Sequence, residues 1–157
     1  TVLDTIATTI DSEGCDGIYG DLEFRNYSDM TNVTRIWKSG YGRYKLGWHP
    51  PHPTLYLKRK LYQRIGLFDL NFPICSDYDF MLRMMQVPAR LYYIQKVLIH
   101  MRSGGVSTAG LKGYMANFKE SYQVLKKNQI PCALGVNVIR TGKTVGQMIK
   151  SKFKNRR

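Results

Sequence analysis

Two short stretches of this 157-residue chain carry side chains whose types and spacing could do chemistry. The first is CSDYDFMLR, residues 75–83, in which Asp77 and Asp79 stand directly ahead of an apolar run and Arg83 follows one turn later. A carboxylate at the mouth of a helix can take the proton of an attacking hydroxyl. The same acids also have a structural reading. With Ser76 as N-cap, Asp79 falls at the third helical position and completes a capping box, both acids suit the positive end of the helix dipole, and Arg83 is spaced as the i,i+4 partner of Asp79. That reading accounts for Asp79 fully. It accounts for Asp77 only weakly, because dipole attraction at an exposed site is worth about 0.3–1 kcal/mol and any nearby acid would supply it.

The second stretch is GWHPPHP, residues 47–53. His49 and His52 are spaced like metal ligands, but the prolines between them hold the backbone extended, so nothing brings both rings onto one ion. Trp48 and the two imidazoles on a stiff loop suit a different task, stacking on and hydrogen bonding to a sugar ring or a similar flat polar ligand. A rigid loop packed on the next strand, with Trp37 and Trp48 in the core, is the competing reading. His100, at the end of a tyrosine-rich segment, is either a metal ligand or a solvated strand-end histidine. The TGKT of residues 141–144 has the ending of a phosphate-binding loop, yet Asn137 stands where that motif needs its first glycine, so the match fails. The GGVST turn at 104–108 could bring its backbone near a phosphate, although most glycine turns have no such role.

The elements that must position these residues follow from periodicity. Val2, Leu3, Ile6 and Ile10 predict a helix over 2–10, and residues 17–24 predict a strand with Ile18, Leu22 and Phe24 on one face. Residues 25–53 read as irregular, a length that inside a compact domain points to function. A short strand over 54–58, a helix over 59–65 and a helix over 76–86 come next. Residues 91–101 predict a strand, 111–128 an amphipathic helix with Tyr114, Phe118, Tyr122 and Leu125 on one side, and a basic helix starts near Val138 beyond Pro131.

At 43% hydrophobic and 12% aromatic the chain is too apolar for disorder, and one domain of this length buries about 70% of its unfolded surface. Its apolar runs are too short to span a bilayer. The first residues have no basic region or small-residue cleavage site, so the chain reads as intracellular. Cys15, Cys75 and Cys132 are far apart and form no CxxC pair, which predicts free thiols rather than disulfides or a structural zinc site. The net charge of +13 is uneven: residues 121–157 hold nine Lys and Arg and no acid, whereas the other 120 residues hold 15 basic and 11 acidic side chains. Such a tail attracts polyanions generally, anionic lipid headgroups and RNA included. A non-catalytic basic module is therefore one functional reading.

The other comes from order along the chain. YGDLEF, RIWKSG, GWHPPHPTLYLKR, GLFDLNFPICSDYDFMLR and VLIHMRSGGVST together resemble the carboxyl half of family-2 glycosyltransferases, nearest to the bacterial enzymes that build exopolysaccharides of the colanic-acid type. The resemblance covers nearly all of residues 1–128, and its most specific pieces are PPHPT and DYDxxLR. It implies an α/β, partial GT-A fold, a mixed sheet flanked by helices that belongs to the acceptor side, with 129–157 as a basic helical extension. It places the general base at Asp77, supporting roles at Asp79 and Arg83, and acceptor contacts at Trp37, Trp48, His49, His52 and Asp21. It also implies a nucleotide-sugar donor, a glycan or lipid-linked acceptor, inversion, and Mg²⁺ or Mn²⁺ held by a D-x-D motif that this chain lacks. The nucleotide-binding amino half has no counterpart here, so the expectation is a cytoplasmic piece of an enzyme, at the inner face of a membrane, inactive alone and prone to self-association through an unpaired sheet edge.

Overall fold

A computed structural model describes the backbone of residues 1–103 and 110–154 and the side chains of residues 1–103 and 112–147. The elements run α1 (Val2–Glu13), β1 (Gly17–Arg25), β2 (Val33–Trp37), β3 (Tyr56–Leu57), α2 (Arg59–Ile65), α3 (Ser76–Met85), β4 (Leu91–Arg102), α4 (Gly110–Lys127) and α5 (Ala133–Lys154), with single 3₁₀ turns at Tyr44–Leu46 and His52–Thr54. The fold is α/β with a mixed sheet flanked by helices. The 104–108 turn lies outside the described residues, as do the side chains of Lys150, Lys152 and Lys154.

β1 is the centre of the sheet. β4 runs parallel to it along its whole length, so β2 and β3, both antiparallel, share its other edge. Adjacent residues of β1 serve different cores. Ile18 packs with Ile6, Cys15, Ile94 and Leu98 beneath α1, while Tyr19 packs with Tyr78, Met81, Tyr93 and Leu125 beneath α3 and α4. A strand covered on both faces is buried along both, and β1 is buried from Gly17 through Glu23. The expected one-faced alternation is corrected accordingly: Ile18 belongs to the α1 layer, whereas Leu22 and Phe24 line a cavity described below. The pairing of β1 with β4 shifts register on either side of Asp21, leaving Gln95, Lys96 and Leu98 of β4 without Cα partners.

The 25–53 stretch is less irregular than its composition predicts. Pairing with β1 organises Val33–Trp37 as a strand, with Trp37 opposite Leu22 and Arg35 opposite Phe24. The strand expected over 54–58 shrinks to Tyr56–Leu57, because Thr54 closes a 3₁₀ turn and is fully buried. α5 begins at Ala133, about a turn earlier than expected, after a linker in which Gln129 and Cys132 adopt positive φ. Its first half packs on α4 and reaches β2, so it belongs to the same packed body as the sheet.

The N-terminus of α3 corrects the capping box. Cys75, not Ser76, is the N-cap and makes no side-chain cap bond. Glu120 of α4 supplies the acceptor instead: its Oε1 takes the backbone N–H groups of Ile74 and Cys75, both at 2.7 Å. Asp77 takes a third, its Oδ1 accepting the N–H of Tyr78 at 2.7 Å. Three orphan donors of the segment entering the helix are thus satisfied by carboxylates, and the cap that the local sequence suggested is supplied from another helix.

Candidate functional site

A cavity of about 270 Å³ opens where the end of the sheet meets α3, α4 and α5. Asp77 at the start of α3, His49 and His52 from the proline loop, and Trp37 from β2 all line it. Four of the residues singled out by sequence therefore share one space. Each has a local reason to be there. Thr54, at the end of the PPHPT segment, donates from its Oγ1 to the Gly20 carbonyl at 2.9 Å and anchors the loop to β1. Gly47 at the loop's start has φ 74°, and a Cβ there would sit 3.1 Å from the Val136 carbonyl and 3.2 Å from Arg140 Cβ, so the glycine lets the loop seat directly on α5.

Part of the wall is a run of aromatic rings in contact. His49 lies 5.2 Å from Trp37, edge to face, and 5.1 Å from Tyr78, and the Arg140 guanidinium caps the far side of the Tyr78 ring at 4.6 Å. Burial first, and then the nearby Arg140 charge, hold His49 down at about 4, so the ring is neutral at pH 7. Its Nδ1 lies 3.0 Å from the Pro50 carbonyl, which can only accept, so Nδ1 carries the proton and Nε2 is left as an acceptor. Burial raises Tyr78 to about 12, which keeps its phenol a hydrogen-bond donor.

Asp77 is half-buried. With Oδ1 committed to the helix N-terminus, its Oδ2 has no partner among the described residues. Among the described residues that line the cavity, Asp77 is the one acid. Cys75 also reaches the wall, but burial pushes its thiol up to about 12, too far for a nucleophile at neutral pH.

The remaining expected site residues are placed elsewhere. Asp79 is fully buried outside the cavity, its Oδ2 accepting from Arg83 Nε at 2.9 Å and its Oδ1 from Lys127 at 2.9 Å and Asn128 at 2.8 Å. Burial alone would raise its carboxyl, but the hydrogen bonds from Lys127, Asn128 and Arg83 outweigh it and hold Asp79 below its ordinary value. Arg83 also donates to the carbonyls of Ile65 and Leu67, so the pair locks α3 to the α2 exit and to α4. Asp21 accepts from the Tyr93 hydroxyl at 2.6 Å and the Ser39 N–H at 2.8 Å, and Trp48 donates from its indole to the Ser39 carbonyl at 3.0 Å. Both fix the 38–42 loop and neither lines the cavity. His100 pairs with Glu23 at 2.8 Å, away from the cavity lining.

Sequence reasoning missed Tyr78, Arg140, Arg35 and Arg102, which the fold brings to the cavity from α3, α5, β2 and β4. Once pairing with β1 makes Val33–Trp37 a strand, its period of two puts Arg35 on the same face as Trp37; Arg140 had no such signal. Among the described residues no group of three His, Cys, Asp or Glu could hold a metal, and no helix is long and apolar enough to cross a membrane. No family model, curated protein or solved structure matches the chain.

Proposed function

We propose that this segment is the acceptor-side half of an inverting glycosyltransferase of the GT-A type, acting in surface polysaccharide synthesis at the cytoplasmic face of a membrane, with Asp77 as its general base. The observation that supports the reading is the Asp77 Oδ2, unpartnered among the described residues, in one cavity with Trp37, His49 and His52. A carboxylate of ordinary strength cannot ionise an alcohol outright. It can accept the proton as the acceptor oxygen bonds to the anomeric carbon, because that proton becomes acidic as the bond forms, and such help is worth roughly 10² to 10⁴ in rate. The bond from the anomeric carbon to the diphosphate oxygen breaks on the opposite face and its electron pair leaves with the diphosphate. His49 Nε2 can accept a second sugar hydroxyl, and the Trp37 and Tyr78 rings give the sugar an apolar wall. Asp79 and Arg83 act as positioning residues, holding the helix that carries Asp77.

The divalent metal that the resemblance implies does not fit the residues present. Mg²⁺ and Mn²⁺ want several oxygen ligands, and the described residues of this cavity offer one carboxylate among three guanidinium groups. Donor binding is thus assigned to the half of the enzyme that the resemblance lacks here. The expected result of titrating this chain with nucleoside diphosphates and Mg²⁺ is no binding tighter than micromolar. In spectra of the same chain, oligosaccharides should shift the Trp37 indole and His49 ring signals; shifts confined to residues beyond 140, or none, would count against the reading.

A second reading, a basic module for RNA or an anionic membrane, has its own observation: α5 carries no acid and exposes Leu134, Val138 and Ile139. Binding of that kind weakens steeply with salt and is lost when residues 148–157 are removed.

A further inference from the structure

The charges around the cavity do not match a neutral sugar. Among the described residues that line it, Arg35, Arg102 and Arg140 face a single acid, Asp77. Each guanidinium is held against an aromatic ring rather than against a carboxylate: Arg35 over Phe24 at 3.9 Å, Arg102 over Tyr27 at 5.5 Å, and Arg140 over Tyr78 at 4.6 Å. Stacking orients a guanidinium and leaves its edge donors to be used. Arg140 spends one on Asn117 Oδ1 at 3.0 Å, and its Nε is buried with no partner. The Tyr78 hydroxyl, on a residue only 3% exposed, is likewise buried and unpartnered. Both atoms belong to residues that line the same cavity as Asp77 but are themselves closed off from it, so the donors an entering oxyanion meets are the remaining guanidinium edges of Arg35, Arg102 and Arg140.

We infer that the cavity takes a carbohydrate bearing an oxyanion, a phosphate or a carboxylate, seated by Arg140 and Arg35 next to the hydroxyl whose proton goes to Asp77. The inference rests on the acceptor-side reading above and narrows its substrate class. It also explains why α5 is built into the wall. Gly47 lets the proline loop lie on α5 within contact of Arg140, so the loop that carries His49 and the helix that carries the anion donor are set against each other. The acid at position 77 opposes the bound anion. A site evolved for anion binding alone has no use for that acid, whereas a base beside an anionic acceptor has a use for both.

The test uses this chain with three probes: glucose 6-phosphate, methyl glucuronide and, as the neutral control, methyl glucoside. Binding is followed through the His49 and Trp37 signals. At least one anionic probe should bind roughly tenfold or more tighter than the glucoside, as charge-assisted hydrogen bonds require, and the better of the two identifies the group as phosphate or carboxylate. Arg140→Gln and Arg35→Gln should each remove most of that preference, and Arg140→Lys, which keeps the charge but not the planar stack on Tyr78, should keep part of it. Asp77→Asn removes the opposing charge and should widen the ratio of anionic-probe to glucoside affinity. Equal binding of all three probes, or an anion preference that survives both arginine substitutions and disappears on removing residues 148–157, would overturn the inference. Such a result would leave the role of Asp77 as base standing, since that is read from turnover.

Discussion

His49 is neutral at pH 7 because the cavity strips its solvent and Arg140 stands near it, and this sets a pH dependence for the whole molecule. Its proton affinity is depressed from an ordinary value of 6.5 to about 4, so between those pH values the unfolded chain holds a proton that the folded chain does not. Stability is therefore fully present above pH 6.5 and falls as the pH drops toward 4, by up to about 3 kcal/mol. Thermal melts from pH 7 to 4 should show that slope, and His49→Gln should flatten it; equal slopes in both proteins would contradict the neutral assignment. Asp79 acts at lower pH and through a different cause. Its carboxylate is stabilised by Lys127, Asn128 and Arg83, so its contribution is present above the ordinary aspartate value near 3.8 and is lost as the pH falls below it. Asp79→Ala removes the shared partner of Arg83, Lys127 and Asn128, although Lys127 keeps Asp69 and Arg83 keeps two carbonyls, and should cost about 1–3 kcal/mol in urea unfolding. A loss under 1 kcal/mol would show that the pair is not what holds α3.

At the scale of elements, the irregular pairing of β1 with β4 explains a glycine. The unpaired residues of β4 bring Leu98 and the Lys96 carbonyl over Gly20, where an added Cβ would meet Leu98 Cγ at 2.5 Å and the carbonyl oxygen at 2.9 Å. Gly20→Ala should lower stability by about 1–3 kcal/mol, read from denaturant midpoints, while leaving the α3 end of the cavity folded. A neutral effect would mean that the bulge relaxes freely. The same scale shows what was legible beforehand. Helices α2, α3 and α4 follow from their apolar spacing, and β4 from its tyrosines and isoleucines, because each carries its pattern within its own segment. β2 was not legible, since its identity as a strand comes from pairing with β1 and not from VTRIW itself. Nor was the cap on α3, because Glu120 lies 43 residues beyond Asp77 in the chain and meets it only after α4 docks. Among the residues lining the cavity, Asp77, His49 and His52 could be picked out by type and spacing, and Trp37 through the family resemblance. Asp21, Trp48 and Asp79 have the same chemical types, and only burial and hydrogen bonding assign them to the scaffold.

For the molecule as a whole, one cavity gathers the end of the sheet, the proline loop, α3 and α5 around a carboxylate oxygen that the described residues leave unpartnered. Part of the basic excess lies in that cavity, where Arg35, Arg102 and Arg140 bear on which ligand enters. The central claim concerns the cavity, and it is most directly tested in a protein that carries this segment together with a nucleotide-sugar-binding half. There, Asp77→Asn should lower the rate of glycosyl transfer roughly 10²- to 10⁴-fold with donor affinity unchanged. Transfer at the unsubstituted rate would contradict the account.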